Sequence, residues 1–189
     1  MNFVIVGKSG SGKTELCKIL TEQFKYEKIV TYTTRPIRDG EVDGVDYNFV
    51  SLAEFNKMLD EGKFAEYFVA GNGWHYGTAK EDFGKDNMLI ILTPSGLKEI
   101  KKNGVQVKSI YVKVDDNKRY IRQILRGDDI KEIARRSETD KRDFEGIEDK
   151  VDYIVENNTE DIWDCVRAAM LDMSNDVKIK IFPYKIGVI

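Results

Sequence analysis

Residues 3–14 read Phe3-Val4-Ile5-Val6-Gly7-Lys8-Ser9-Gly10-Ser11-Gly12-Lys13-Thr14. The first four form a continuous apolar run, which is typical of a strand buried on both faces of a parallel sheet. The remainder satisfies the pattern G-x-x-x-x-G-K-[ST], and a segment with helical hydrophobic periodicity begins at Lys13. A strand, a glycine-rich turn and a helix in this order predict a phosphate-binding loop.

The residue types in this loop suit the phosphates of ATP. Glycines let backbone N–H groups converge on a phosphate without a Cβ in the way, and the following helix presents its positive N-terminus. Lys13 is expected to reach the β- and γ-phosphate oxygens as a catalytic residue, and the Thr14 hydroxyl is expected to bind Mg²⁺. The candidate ATP-binding residues of the loop are Gly7, Ser9, Gly10, Ser11, Gly12, Lys13 and Thr14.

Strand and helix patterns alternate along the rest of the chain. Further short strands are predicted at 29–31, 88–92, 105–114 and 151–155, and helices near 13–24, 51–64, 117–126, 130–144 and 160–173. The helix near 51–64 begins at a capping box, Ser51 to Glu54, and is expected to bury Leu52, Phe55, Met58 and Leu59. This alternation predicts an α/β fold with a parallel β-sheet core flanked by helices.

Composition limits the class of protein. The chain has 189 residues, of which 41% are hydrophobic and 33% charged, so we expect one domain over 1–189. A net charge of −3 does not favour nucleic-acid binding. The two cysteines, Cys17 and Cys165, match no ligand spacing, and no apolar run or cleavable signal points to a membrane. We therefore expect a cytoplasmic protein with no nucleic-acid or membrane partner.

A second informative stretch follows at residues 31–50. Arg35 and Arg38 are three residues apart, and Tyr47 is nearby. Guanidinium groups bind phosphate dianions with paired hydrogen bonds, so the set forms a plausible phosphate clamp. Glu41 is expected to hold one guanidinium in place.

This stretch resembles the GMP-binding signature of guanylate kinases, T-T-R-x-P-R-x-G-E-x-x-G-x-x-Y-x-F-V. The proline alone is displaced by one position, to Pro36. Ten residues match: Thr33, Thr34, Arg35, Arg38, Gly40, Glu41, Gly44, Tyr47, Phe49 and Val50.

The resemblance continues downstream of this signature. Glu66 falls on the glutamate that reads the guanine edge, and residues 76–78 look like the family's Tyr-Gly-Ser/Thr. A carboxylate suits guanine because N1–H and N2–H₂ are both donors. The resemblance implies a GMP-binding set of Thr31, Arg35, Arg38, Glu41, Tyr47, Glu66, Tyr76 and Thr78, with Arg38 also catalytic.

A basic segment lies on the donor side. Nine Lys or Arg residues fall between residues 117 and 142, and Arg126-Gly127 followed by Arg135-Arg136 resembles the lid pattern of the family. The resemblance implies catalytic roles for Arg126 and Arg136 in stabilising the charge of the transferred phosphoryl group. The acidic residues in between leave a salt-bridged surface helix as the alternative. Residues 152–158 resemble the last strand and asparagine of P-loop kinases, which implies that Asn157 lies at the adenine edge.

The resemblance fails at one place. Guanylate kinases carry D-x-D-x-x-G at the end of the third strand, and this chain has Ile91 and Thr93 where the aspartates belong. Three explanations remain open. Thr14 and the phosphates hold the metal in an active enzyme, the enzyme prefers another base or a deoxynucleotide, or the chain has lost turnover and serves for binding.

The resemblance covers residues 1–172 and implies transfer of phosphate from ATP to GMP or dGMP with Mg²⁺. It implies an acceptor subdomain at 31–79 and a helical lid at 116–142. The alternatives are a kinase for another (deoxy)nucleoside monophosphate, or a catalytically weak guanylate-kinase-like binding module. The extra tail at 174–189 alternates apolar and lysine residues, which favours an edge strand on its own domain or else a dimer contact. We expect a monomer or a homodimer.

Overall fold

The computed structural model describes residues 1–70 and 73–176, with side chains to Ser174 at the C-terminal end. The strands of this part are β1 (Asn2–Val6), β2 (Glu27–Lys28), β3 (Tyr32–Thr33), β4 (Asn48–Phe49), β5 (Phe64–Val69), β6 (His75–Ala79), β7 (Met88–Ile91), β8 (Val107–Lys113) and β9 (Tyr153–Glu156). The α-helices are α1 (Lys13–Gln23), α2 (Leu52–Asp60), α3 (Pro94–Lys102), α4 (Asp116–Leu125), α5 (Ile130–Asp143) and α6 (Ile162–Asp176). Two 3₁₀ helices lie at Lys80–Phe83 and Glu148–Lys150.

The core is a parallel sheet with strand order β2-β7-β1-β8-β9. β1 is central and buried on both faces. Phe3 and Ile5 pack on the side of α1 and α6, while Val4 and Val6 pack on the side of α3. β1 lies between β7 and β8, and the strand order reverses at this point. The carboxyl end of β1 is therefore at a switch point, where open α/β sheets bind ligands.

A second, four-stranded sheet has the order β4-β3-β6-β5 and mixed direction. Helix α2 packs beside it and begins with the expected capping box, in which Ser51 N–H donates to Glu54 Oε2 at 2.8 Å and Glu54 N–H donates to Ser51 Oγ at 3.2 Å. Phe55 is buried as expected, but the expectation for Leu52 is wrong. Leu52 is exposed because it is the first residue of the helix and faces solvent rather than the sheet.

The predicted fold class is confirmed, since a parallel sheet flanked by helices forms the core. The boundaries differ by a few residues at most elements. The strand predicted at 29–31 is shifted, because β2 pairs with β7 through Glu27 and Lys28, and Ile29 N–H adds one bond to Leu89 O at 2.8 Å. The division into acceptor subdomain and lid stays a prediction, and the prediction for the tail lies largely outside the described residues.

Candidate active site

The glycine-rich loop connects β1 to α1 in a conformation that needs its glycines. Gly10 and Gly12 have φ of 78° and 88°, a region that side chains disfavour. A Cβ on Gly12 would lie 2.4 Å from Asn157 Nδ2, and one on Gly10 would lie 2.7 Å from Arg119 O. The loop is therefore packed from behind by other parts of the chain, and its open side faces the carboxyl edge of the sheet.

Lys13 lies at the start of α1 and is half-buried. Its Nζ donates to Lys8 O at 3.3 Å, which holds the side chain back over the loop. Desolvation lowers the pKa of Lys13, and the positive charges of Arg126 and Arg136 lower it further, while Asp140 opposes the shift. Three arginines, Arg126, Arg119 and Arg136, therefore lie close enough to Lys13 to add positive charge at the loop, as a site for polyphosphate requires.

The two lid arginines are held by acidic neighbours on α5 and the turn before it. Arg126 Nε donates to Asp128 Oδ1 at 2.9 Å, and Arg136 Nε donates to Glu132 Oε1 at 2.8 Å. Arg136 also lies 3.5 Å from Asp128, so the two cations share one carboxylate. Both guanidinium groups are substantially exposed, and such ion pairs exchange at little cost for a phosphate.

Asn157, at the end of β9, is 2% exposed. Its Nδ2 donates to Ser11 O at 2.9 Å. This contact places Asn157 behind the loop, where it supports the phosphate-binding backbone. The contact with adenine that the resemblance implies stays a prediction.

The acceptor side centres on a buried arginine between β3 and β4. Arg35 makes a bidentate pair with Glu41, with Nη2 to Oε1 at 2.7 Å and Nη1 to Oε2 at 3.0 Å. Its guanidinium lies over the rings of Tyr47 and Phe49, at 5.2 and 5.5 Å from their centroids. The hydrogen bond from Arg35 holds the pKa of Glu41 below its usual range. Arg35 is therefore oriented in advance for an anion.

Arg38 complements this fixed arginine. Its backbone N–H donates to Glu41 Oε2 at 2.8 Å, which fixes the main chain, while the side chain is exposed. Within residues 1–70 and 73–176 its guanidinium has no acidic partner, so it is available to a phosphate.

Two tyrosines complete the phosphate end of the acceptor side. Tyr47 and Tyr76 meet edge to face, with centroids 6.1 Å apart. Phe68, which sequence reasoning missed, stacks on Tyr76 at 5.0 Å with an interplanar angle of 9°. This stacking orients Tyr76. The only sequence signal for the role of Phe68 was the presence of an aromatic residue within a strand pattern.

Glu66 is the buried carboxylate of the site, at 3% exposure in β5. Thr78 Oγ1, on the paired strand β6, donates to its Oε1 at 2.6 Å. Burial raises the pKa of Glu66 to about 7, and the Thr78 hydrogen bond opposes part of that shift. A carboxylate desolvated in this way recovers free energy when donors of a ligand pair with it.

The acceptor side adjoins the loop through α3. A Cβ built on Gly96 would lie 3.3 Å from Glu66 Oε2 and 3.5 Å from Thr93 Oγ1. Helix α3 follows β7, whose Ile91 pairs with Ile5 of β1 just before the loop. Glu66 therefore lies beside the helix that follows β7, the strand next to β1 and its loop.

A family model described as guanylate kinase matches residues 1–172. The chain belongs to the guanylate kinase family. A guanylate kinase of Syntrophotalea carbinolica is 36% identical over 166 residues, which cover 82% of this chain and 77% of that protein. One from Chlamydia muridarum is 32% identical over 164 residues, or 82% of this chain and 79% of that protein.

The architecture agrees with this assignment. The crystal structure of guanylate kinase from Anaplasma phagocytophilum matches with a TM-score of 0.67 at 19% identity, over 94% of this chain and 87% of that one, which supports the same fold. The predicted family and the predicted class of enzyme, a phosphotransferase, are confirmed. No helix within residues 1–70 and 73–176 combines the length and apolar character needed to cross a bilayer.

The departure from the guanylate kinase pattern has a local structural role. Thr93 is the N-cap of α3, where its Oγ1 accepts from Gly96 N–H at 3.2 Å and pairs with Ser95 Oγ at 2.9 Å. Ile91 ends β7, half-buried against the core. Among the described residues, no group of three or more His, Cys, Asp or Glu side chains could hold a metal ion.

Three polar residues near the loop are not identified by the sequence patterns as supports of the site. Arg119 belongs by sequence to the basic lid segment, but it is buried against Ser9. Gln123 and Asp140 contact the same residue. Burial of charged residues on helices with so many exposed charges has no local sequence signal, because the partners are more than 100 residues away along the chain.

Proposed function

We propose that the chain catalyses the transfer of the γ-phosphate of ATP to GMP, giving ADP and GDP. The observation that carries the choice of guanine is the buried Glu66–Thr78 pair. A carboxylate at this position accepts from guanine N1–H and N2–H₂, whereas adenine presents an acceptor at N1. Membership of the guanylate kinase family supports the same substrate.

On the donor side, we assign the β-phosphate to the backbone N–H groups of residues 7–14. Lys13 neutralises oxygens of the β- and γ-phosphates. Arg126 and Arg136 exchange Asp128 and Glu132 for the γ-phosphoryl oxygens as the lid closes, which also excludes water. Asn157 acts by holding the loop at Ser11.

On the acceptor side, Arg35, Arg38, Tyr47 and Tyr76 bind the phosphate of GMP. Thr31 and Thr78 supply hydroxyls beside the base, next to Glu66. Glu41 holds Arg35 in the bidentate geometry described above. Because Arg35 is already oriented, little side-chain entropy is lost when the phosphate binds.

The reaction requires alignment more than proton transfer. An oxygen of the GMP phosphate attacks the γ-phosphorus of ATP, a P–O bond forms, and the bond to the β–γ bridging oxygen breaks with its electron pair leaving on ADP. The acceptor phosphate is already an anion at neutral pH, so no general base is needed. His75, the one histidine of the chain, has no role in this scheme.

The residues present fit a Mg²⁺ ion held mainly by phosphate oxygens. Thr14 offers an exposed hydroxyl at the start of α1, and Thr93 is placed at the end of β7. Asp115 and Asp116, which follow β8, are alternative sources of charge. Asp116 Oδ1 already accepts from Arg119 Nη2 at 2.7 Å and lies 3.6 Å from Lys8 Nζ. Asp115, in contrast, is exposed at the N-cap of α4. When bound, the ion neutralises phosphate charge.

A coupled assay of ADP release tests the assignment. The purified chain with MgATP is offered GMP, dGMP, AMP, CMP, UMP and dTMP in turn. We expect GMP or dGMP to be phosphorylated with the highest kcat/KM. A preference for a pyrimidine or for AMP would contradict the role of Glu66, and no turnover with any acceptor would contradict the kinase assignment.

The replaced aspartates predict an unusually high Mg²⁺ requirement. Without a carboxylate at this strand end, activity should still rise in the millimolar range above the ATP concentration. Thr93→Asp should lower the requirement, because a charged oxygen attracts a divalent ion, partly offset by desolvation. Asp is as good an N-cap as Thr, so α3 should be preserved.

The Mg²⁺ titration is followed by ADP release and, separately, by calorimetric binding of Mg²⁺ to the complex with a non-hydrolysable ATP analogue. Thr93→Asn, a neutral cap of the same shape as Asp, is the matched control. The prediction is contradicted if the activity of the parent saturates at low Mg²⁺ and Thr93→Asp leaves activity unchanged or lowers it. That outcome would not affect the kinase assignment.

The raised pKa of Glu66 predicts that GMP binding depends on pH. Guanine donors pair with the ionised carboxylate, and a folded-state pKa of about 7 leaves it largely protonated at pH 6. KM for GMP should therefore fall by about tenfold between pH 6 and pH 8. Conversely, folding favours the protonated form, so this group makes the fold less stable as pH rises from 4.5, the ordinary pKa of a glutamate, toward 7.

The measurement is KM for GMP at intervals between pH 6 and 8. The GMP phosphate also titrates near pH 6, so the profile is compared with that of Glu66→Gln, which cannot ionise. If both proteins show the same pH profile, Glu66 is not the titrating group.

A further inference from the structure

A buried polar cluster lies behind the phosphate loop and has no role in the transfer proposed above. Arg119 and Gln123 of α4 are each 1% exposed, and Asp140 of α5 is 9% exposed. Charged residues are almost never buried this deeply unless they are paired. All three reach the main chain of Ser9, so the cluster is directed at the loop.

Both polar groups of Ser9 are held by charged side chains. Ser9 N–H donates to Asp140 Oδ2 at 2.8 Å, and Ser9 O accepts from Arg119 Nη1 at 2.8 Å. The same Nη1 lies 3.2 Å from Asp140 Oδ2, which closes the triangle. Hydrogen bonds in which one partner is ionised are the stronger class, and here they fix the orientation of a loop residue from both sides.

The guanidinium is in turn held in place from its other edge. Arg119 Nε and Nη2 donate to Asp116 Oδ1 at 3.1 and 2.7 Å. Gln123 Nε2 donates to Arg119 O at 3.2 Å and approaches Ser9 O at 3.5 Å. The helix backbone touches the next loop residue, since a Cβ on Gly10 would lie 2.7 Å from Arg119 O. The Ser9–Gly10 turn is thus seated on α4.

The pair also joins the two helices of the predicted lid. Arg119 lies near the start of α4 and Asp140 near the end of α5, so residues 120–139 begin and end at this pair. Arg126 and Arg136 both lie within that interval. Because both ends of this segment are held at Ser9, its motion is confined to residues 120–139. Arg126 and Arg136 therefore stay within reach of the loop.

We propose that Arg119 and Asp140, which we call the Ser9 anchor, are positioning residues for ATP. They hold the Ser9–Gly10 turn in its phosphate-binding conformation. They also fix both ends of the lid, at the start of α4 and the end of α5, to this turn. Stability alone does not account for such a pair, because well-packed apolar residues usually replace a buried ion pair without loss of stability. The proposal rests on the assignment of the loop to ATP.

The test separates positioning from stability by removing the whole pair. In Arg119→Leu/Asp140→Leu, both buried charges are removed together, and Asp116, which loses Arg119, is partly exposed and keeps Lys8 at 3.6 Å. The main-chain groups of Ser9 also lose their partners, so we expect the protein to stay folded with a thermal midpoint within about 8 °C of the parent. The affinity for a non-hydrolysable ATP analogue, measured by calorimetry, and KM for ATP should both worsen by about tenfold or more, since two charge-assisted bonds to the loop are lost. KM for GMP should stay within about twofold.

The matched control is Arg142→Leu/Asp143→Leu. This pair lies less than one turn further along α5, with Arg142 Nε 3.1 Å from Asp143 Oδ1, and both side chains are exposed. Exposed pairs contribute little, so both KM values should remain those of the parent. An unchanged KM for ATP and unchanged analogue affinity in the anchor variant would overturn the proposal, as would an equal loss for ATP and GMP.

A second variant decides the question if the double replacement does not fold. Asp140→Asn keeps the shape and an acceptor for Ser9 N–H but removes the charge that holds Arg119. A rise of about threefold or more in KM for ATP, at constant KM for GMP, supports the anchor, and no rise overturns it. Failure of the kinase assignment itself is distinguishable, because the parent would then show no turnover to compare.

Discussion

Replacing Lys13 with alanine should reduce kcat by about 100-fold or more while the protein stays folded. Lys13 lies over the loop at the start of α1, with Nζ 3.3 Å from Lys8 O. Its charge is only half-buried and makes no ion pair within the described part of the chain, so its removal leaves no orphaned buried partner. The substitution removes the positive charge that stabilises the phosphoryl group during its transfer.

The measurement is kcat under saturating MgATP and GMP, together with a thermal unfolding curve. Lys18→Ala is the control, because it removes an exposed lysine from the same helix and should leave kcat unchanged. Turnover of Lys13→Ala equal to that of the parent would show that the glycine-rich loop does not handle the transferred phosphate.

Replacing Glu66 with glutamine should cost about 2–4 kcal/mol in kcat/KM for GMP, or roughly 30- to 900-fold. The substitution keeps the shape of the side chain and leaves an oxygen for Thr78 Oγ1, which now donates to Glu66 Oε1 at 2.6 Å. The new NH₂ group then faces the guanine donors, and a buried pair of donors is left unmatched.

The specificity of the loss tests the role. Activity with other monophosphates should change far less than activity with GMP, and Glu81→Gln, at an exposed position, should change neither. Equal losses for all acceptors would mean that Glu66 is structural. Retained GMP activity with a lower thermal midpoint would lead to the same conclusion.

Much of the site could be predicted from local sequence because the chemistry depends on close spacing. The loop at 7–14 needs glycines where φ is positive, and Gly10 and Gly12 have that conformation. The pairing of Arg35 with Glu41 spans six residues, and the expected contact is present as a bidentate pair. The capping box at Ser51 is likewise local, and both of its hydrogen bonds form.

The errors and omissions have a common physical cause. Whether Leu52 faces the core depends on how α2 sits on its sheet, which the helical period alone does not set. The shift of β2 follows from its pairing with β7, which comes much later in the chain. The stacking of Phe68 on Tyr76 depends on the register of β5 against β6.

The amino-acid sequence by itself determined the phosphate loop, the order of strands and helices, and the residue types of the acceptor site, because each rests on patterns of residues close together in the chain. The tertiary structure determined which charges are buried and what they hold. Arg119 and Asp140 resemble the exposed charges around them until α4 and α5 fold against Ser9. The N-cap of α3 at Thr93 follows from the local sequence Thr93-Pro94, but its position near Glu66 is set only when the second sheet packs on that helix, since burial and long-range pairing belong to the folded chain.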